Sequence, residues 1–193
     1  MRVISGRFRG RKLGAAPPGV RPTSDRVRES VFARLGSPPG VRVLDLFAGS
    51  GALGIEAISR GAKSLVSVER SGRVVAALQR SLEKLGIEEG VRVLRMDARG
   101  AIRHLAGRGD RFDLVFADPP YDAVDEAEKV LALLAQSGLL TPDAVVVVEC
   151  SKRHPVPPIP GLVEEDERIY GDTLVRWLVP EDPTQATGGS TRP

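Results

Sequence analysis

The strand-like run Val41-Arg42-Val43-Leu44-Asp45-Leu46 passes directly into Phe47-Ala48-Gly49-Ser50-Gly51-Ala52-Leu53-Gly54, and this junction constrains the fold more than any other stretch. A Gly49-x-Gly51-x-x-Gly54 pattern between a strand and an apolar helix permits a tight turn that brings backbone close to a ligand. Beyond it the chain alternates strand and helix patterns, which implies a parallel sheet covered on both faces. The expected strands are 41–46, 64–69, 91–96, 112–117 and 144–149, and the expected helices are near 51–60, 72–85, 99–106 and 124–136. Val74, Val75, Leu78, Leu82 and Leu85 fall at helical spacing in the second of these helices. Four prolines between Pro155 and Pro160 interrupt any further helix, and the runs 162–170 and 173–179 around Gly171-Asp172 read as a closing antiparallel hairpin. The fold class is therefore doubly wound α/β, a Rossmann-like and mostly parallel sheet of seven strands.

The glycines alone do not choose a ligand, since a nicotinamide enzyme would carry them too. The strand ends do more. Asp45, Glu69, Asp97 and Asp118 close four successive strands, and each acid singly could be a helix N-cap. Together they converge on the crevice where such sheets bind ligands. Asp45 puts negative charge where a pyrophosphate would be repelled and a cation attracted. Glu69 can bind both ribose hydroxyls, and Asp97 can accept from an adenine amine. This favours S-adenosylmethionine, whose methionine part is cationic, over a nicotinamide dinucleotide.

Asp118-Pro119-Pro120-Tyr121 follows the apolar run 112–117 and suits methylation of an exocyclic base amine. Such a nitrogen is a poor nucleophile because its lone pair is delocalised into the ring. The Asp118 carboxylate and the Pro119 carbonyl can each accept one N–H, which favours a tetrahedral nitrogen aimed at an electrophilic methyl group. Two prolines fix φ near −65° and donate nothing, so the loop is rigid. Tyr121 offers a face for stacking a flipped base. Without the rest of the chain, the same residues would read as an ordinary strand-ending turn.

The net charge of +3 hides an asymmetry: residues 1–34 hold nine basic residues against Asp25 and Glu29, a balance of +7 that leaves −4 for the remainder. Arg outnumbers Lys 23 to 5, which favours bidentate phosphate contacts. Residues 1–37 form the expected basic N-terminal extension, with a short hairpin or loop around Gly6-Arg7-Phe8-Arg9-Gly10-Arg11. A helix follows, capped by Thr23 or Ser24, faced by Val27, Val31 and Leu35 and ended by Gly36. Residues 38–179 form the expected catalytic domain, and 180–193 a disordered tail. Arg7, Arg9, Arg11, Lys12, Arg21, Arg26 and Arg28 are the candidate contacts to nucleic-acid phosphates. Cys150, the lone cysteine, cannot pair internally and reads as core packing in a reducing compartment. No apolar run is long enough to span a bilayer and no signal-peptide pattern is present, so the expected location is cytoplasmic. His104 and His154 stand in unrelated contexts and make neither a metal site nor a triad.

With these motifs in hand, the chain resembles the RsmD family of bacterial 16S ribosomal RNA guanine-N2 methyltransferases. The resemblance is carried by 2–13 (Arg2 to Leu13), 21–32 (Arg21-Pro22-Thr23-Ser24-Asp25-Arg26 to Phe32), Leu44 to Gly51, Asp118 to Tyr121 and Tyr170-Gly171-Asp172-Thr173. The two N-terminal motifs are its specific part; the others recur across methyltransferases. The resemblance implies methyl transfer from S-adenosylmethionine to the N2 amine of one guanine, numbered 966 in the usual rRNA scheme, with 16S rRNA or the small ribosomal subunit as partner. It implies cofactor contacts at Asp45, Phe47, Ala48, Gly49, Ser50, Gly51, Glu69, Arg70, Asp97 and Ala98, and a target-base site at Asp118, Pro119, Pro120 and Tyr121. The expected mechanism is an in-line displacement that needs no metal, and a monomer is expected because nothing in the sequence suggests an obligate dimer. Arg70-Ser71, where the family often has an acid or amide, and Tyr121, where Phe is frequent, are departures.

The nearest rival is a DNA adenine-N6 or cytosine-N4 methyltransferase, which uses the same tetrapeptide. Such enzymes add a sizeable domain to read DNA, whereas 72 residues follow Tyr121 here and most complete the sheet. A nicotinamide oxidoreductase is disfavoured by Asp45 and leaves Pro119-Pro120 unexplained. A non-catalytic RNA-binding protein would tolerate loss of Asp118.

Overall fold

The computed structural model describes residues 1–14, 24–36, 39–120 and 124–182. The expected disordered tail lies almost wholly outside these residues. Seven strands form one sheet: β1 Arg42–Asp45, β2 Ser64–Glu69, β3 Val91–Arg95, β4 Phe112–Ala117, β5 Leu140–Ser151, β6 Leu162–Tyr170 and β7 Thr173–Pro180. Their order is β3-β2-β1-β4-β5-β7-β6. The first five are parallel, and β7 enters antiparallel between β5 and β6. The sheet and its closing hairpin are those expected from the sequence pattern.

Helices α1 Asp25–Leu35, α2 Ala52–Ser59, α3 Gly72–Leu85, α4 Ala98–Gly107 and α5 Val124–Gln136 cover the two faces. One core layer packs α4 and α5 onto the sheet through Ile102, Leu105, Val130 and Leu134. The other joins Val3 and Leu13 of the N-terminal segment, Val31 and Phe32 of α1, and the α2 and α3 side chains to Phe116, Val147 and Trp177. The N-terminal residues therefore share the sheet's core. Ser24 Oγ accepts from Val27 N at 3.2 Å and caps α1, and Gly36 ends it at φ 70°. Thr23, the other expected cap, lies outside the described residues. Strand β5 begins at Leu140, four residues before the expected 144–149, because Leu140 pairs with Phe112 before a register shift that brings Val145 opposite Leu114.

All eight residues of α2 are buried, Glu56 included. A buried carboxylate requires compensation, and here the N-terminal segment supplies it. Ile4 N and Ser5 N donate to its two oxygens at 2.8 and 2.9 Å, Arg60 Nε at 2.8 Å, and the Arg28 guanidinium lies 3.7 Å away. Arg28 also donates to Arg2 O and to Asp25, so one carboxylate and one guanidinium pin the N-terminal hairpin, α1 and α2 together. Replacing Glu56 with Ala should cost about 3 kcal/mol in denaturant unfolding, since it strands two amides and leaves the buried Arg28 with Asp25 as its remaining carboxylate. A loss below about 1 kcal/mol would show that the docking of the hairpin does not depend on this carboxylate. Gly6 is fixed by the same docking: it sits at φ +79°, and a Cβ there would lie 1.8 Å from Ser59 O.

Candidate active site

The carboxyl ends of β1 to β4 meet in one crevice. Leu46 N donates to Phe116 O and Ala48 N to Val68 O, which ties the turn after β1 to both neighbouring strands. Gly51 occupies φ +77° at the start of α2, and a Cβ there would come within 2.2 Å of Leu78 Cδ1. Gly54 lets α2 approach β1 and β2, with Leu65 methyls under 3.0 Å from where a Cβ would be and Asp45 Oδ2 at 3.2 Å. Gly51 and Gly54 thus sit in a turn and in a close helix-to-strand contact, a geometry that the glycine pattern permits.

Asp45 is 2 % exposed, and its Oδ2 has no hydrogen-bond partner among the described residues. Burial pushes its carboxyl up to about 7; the amides of Gly54 and Phe47 oppose the rise, and the Glu69 charge adds to it. Glu69 is half-buried and accepts from Gly49 N at 3.3 Å and Ser71 N at 2.7 Å, so it is fixed between the glycine turn and the start of α3. Asp97 caps α4 by accepting from Gly100 N at 2.8 Å, which holds its carboxyl below the usual range. The capping role weighed for each acid singly is thus real for Asp97, which is also exposed. Phe47, Gly49 and Ser50 are half-buried, Ala48 and Ala98 are buried and Arg70 is exposed.

Asp118 and Pro119 follow β4 directly, the first half-buried and the second buried, while Pro120 is exposed. Because Asp45 pairs with Phe116, Asp118 comes two residues beyond that pair, beside the start of the glycine turn. Tyr121 lies outside the described residues, as does Arg21. Cys150 is buried in the neighbouring β5, and burial pushes its thiol up, with smaller contributions from Glu149 and Asp118. Among the described residues, no cluster of His, Cys, Asp and Glu would hold a metal ion, and no helix is long and apolar enough to cross a membrane.

The basic residues divide into three groups. Arg26 stands in the first turn of α1, its guanidinium 6.0 Å over the Tyr170 ring at the β6–β7 turn, on the crevice side of the sheet. Arg7, Arg9, Arg11 and Lys12 are exposed on the N-terminal hairpin, which Val3 N to Arg11 O and Gly10 N to Val3 O close. Arg28 corrects the expectation: its side chain is 0 % exposed and committed to Arg2, Asp25 and Glu56, so it cannot reach a phosphate. Sequence reasoning placed it on the surface because a charged residue in a charge-rich helix is normally solvated. The signal it passed over was Glu56, an acid alone in an apolar helix that needed a buried partner.

Arg95, opposite Glu69 in the β2–β3 register, lies with its guanidinium over Gly72 at the start of α3, within 2.7 Å of where a Cβ would be.

The family model described as conserved hypothetical protein 95 matches residues 1–179. The chain is 39% identical over 178 residues to YlbH of Bacillus subtilis, covering 91% of this chain and 96% of that protein. It is 38% identical over 164 residues to ribosomal RNA small subunit methyltransferase D of Escherichia coli strain K12, covering 83% of this chain and 80% of that one. Among solved structures, yhhF from Escherichia coli superposes with a TM-score of 0.83 at 33% identity, covering 94% of this chain and 98% of the other.

Proposed function

The chain belongs to the ribosomal RNA small subunit methyltransferase D family, and from that premise we propose that it methylates the N2 amine of one guanine in 16S rRNA, the guanine at position 966 by the family resemblance. The observation that carries this reading is the juxtaposition of a rigid Asp118-Pro119-Pro120 loop with the buried, underprotected Asp45 carboxylate at adjoining strand ends. S-adenosylmethionine, when bound, supplies an electrophilic methyl group on a sulfonium centre. The residues present fit that cofactor: Asp45 Oδ2 has no donor among the described residues and gains from a nearby cation, Glu69 and Asp97 offer acceptors to ribose and adenine, and the turn at Gly49 and Gly51 gives close backbone approach.

Asp118 and the Pro119 carbonyl accept the two N–H bonds of the target amine and turn its lone pair toward the methyl carbon. Catalysis then rests on alignment and on these fixed acceptors, with no covalent enzyme adduct. The amine proton leaves during or after transfer, to Asp118 or to water. Tyr121 stacks on the extruded base. Arg7, Arg9, Arg11, Lys12, Arg21 and Arg26 contact RNA phosphates. The enzyme works as a monomer, and a ribosomal acceptor implies a cytoplasmic one.

The test is transfer of labelled methyl from S-adenosylmethionine to rRNA and small subunits lacking the modification, followed by nucleoside analysis. Label in N2-methylguanosine is expected. Label in another ribonucleoside would move the substrate, and methylated adenine or cytosine on DNA with none on RNA would replace it by the DNA-modifying alternative.

A further inference from the structure

We propose that Glu149 is a specificity-determining residue of the methyl-accepting site, its carboxylate accepting the ring N1–H of the target guanine beside the amine that Asp118 and Pro119 hold. The inference rests on the guanine-N2 reading above and deepens it. Ala117 pairs with Val148 at the end of the β4–β5 ladder, so Asp118 and Glu149 come next on adjoining chains about 4.8 Å apart. Side chains alternate along a strand, and Phe116 and Val147, two residues before each acid, both lie in the core layer that includes α1 and α2. Glu149 therefore shares the face of the sheet on which Asp45 meets Gly54 of α2. The charges of Glu149 and Asp118 both act on the Cys150 thiol, which sets the two carboxylates in one neighbourhood.

Three acids are buried among the described residues. Glu56 pins the N-terminal hairpin and Asp45 stands beside the glycine turn, whereas Glu149, 8 % exposed, lies near the end of β5 next to the loop assigned to the base. Holding a carboxylate at such a depth is costly, so its presence there calls for a task. Beyond it the same face continues through Val175, its partner in β7, to Tyr170, whose hydroxyl bonds with Ser30 Oγ and whose ring lies 6.0 Å from the Arg26 guanidinium. An apolar and aromatic wall of this kind suits an extruded base. The acid at its edge selects which base. Guanine, adenine and cytosine each carry an exocyclic amine beside a ring nitrogen, but only in guanine does that nitrogen bear a hydrogen. A carboxylate facing it gains a charge-assisted hydrogen bond from guanine and meets a lone pair in the other two. The acceptors of Asp118 and Pro119 polarise any of these amines equally well, and Glu149 supplies the discrimination they lack.

The experiment measures kcat/KM for N2-methylation of small-subunit rRNA carrying either guanine or 2-aminopurine at the target position, naked and reconstituted into subunits. 2-Aminopurine keeps the amine but has a lone pair at N1. Wild type should favour guanine by about a hundredfold or more, because a site built to accept an N–H is left facing that lone pair. Glu149→Gln, whose amide can donate to the lone pair, should fall on guanine, rise on 2-aminopurine and bring the ratio below about tenfold. Glu149→Asp keeps the charge and should keep the guanine preference at a reduced rate. Unchanged S-adenosylmethionine affinity in both variants is expected, since Glu149 lies outside the residues assigned to the cofactor. Equal losses on the two RNAs in Glu149→Gln would make Glu149 a structural acid and overturn the proposal. Wild type that methylates both RNAs equally overturns it whether or not a variant folds. Wild type that forms no N2-methylguanosine on the guanine RNA would instead remove the reading on which the proposal stands.

Discussion

Asp118→Ala is expected to lower the single-turnover rate of methyl transfer to rRNA about a thousandfold while S-adenosylmethionine still binds. The size follows from the role: an acceptor that exists to polarise a nucleophile acts in the transition state, and removal of one such fixed group costs about 10²- to 10³-fold. Binding of cofactor should survive because Asp118 closes β4, one strand away from the turn and acids assigned to the cofactor. Asp118→Asn separates two mechanisms. The amide keeps an acceptor oxygen but loses the charge, and charge-assisted hydrogen bonds are roughly twice as strong as neutral ones. If Asp118 mainly orients and polarises the amine, this variant should lose only about tenfold. If it also takes the proton, the two variants should be equally poor. A wild-type rate in Asp118→Ala would abandon the assigned chemistry altogether and favour a protein that binds RNA without modifying it.

The frame of the molecule could be read from its sequence because local and global signals agree in it. Strands β2 and β4 and helices α3 and α5 begin and end at the residues expected, since their apolar periodicity is strong and their boundaries carry glycine, serine or proline. The early start of β5 was hidden because Pro142, Asp143 and the register shift before Val145 look like a turn when read without the partner strand. The row of acids at the strand ends was legible for a similar reason: each lies at a fixed place relative to its strand, so a strand assignment is also a site assignment. What could not be read was the use of charge at long range. Arg28 and Glu56 are 28 positions apart and face each other only because α1 packs on α2, and nothing in either helix alone says which arginine of the run turns inward. The docking of the N-terminal hairpin on the end of α2 was hidden likewise, because it depends on the bonds from residues 7 and 8 to Ser59.

Asp45→Asn should remove most cofactor affinity, more than a hundredfold at pH 8, and at the same time stabilise the free protein. Both effects come from one buried carboxyl whose pKa is lifted from 3.8 to about 7, first by desolvation. The sign follows from the raised value. The folded form holds the proton more tightly than the unfolded chain, so the contribution of Asp45 to stability is fully present below about pH 4, falls as pH rises, and is lost above about pH 7. Three pH units at about 1.4 kcal/mol each set an upper limit of roughly 4 kcal/mol on that loss, and the variant should recover a large part of it at pH 8 while matching wild type near pH 4. Cofactor binding has the opposite dependence. A cation near Oδ2 favours the ionised carboxylate, so wild-type affinity for S-adenosylmethionine should strengthen about tenfold per unit up to pH 7 and then flatten. Isothermal titration from pH 5.5 to 8.5, with urea unfolding at the same values, measures both. Proton release on binding at pH 6 that disappears in Asp45→Asn is the expected result. A flat affinity profile in wild type, or undiminished binding by the variant, would show that Asp45 is a structural acid supporting the turn through Phe47 and Gly54 rather than the counter-charge of the cofactor.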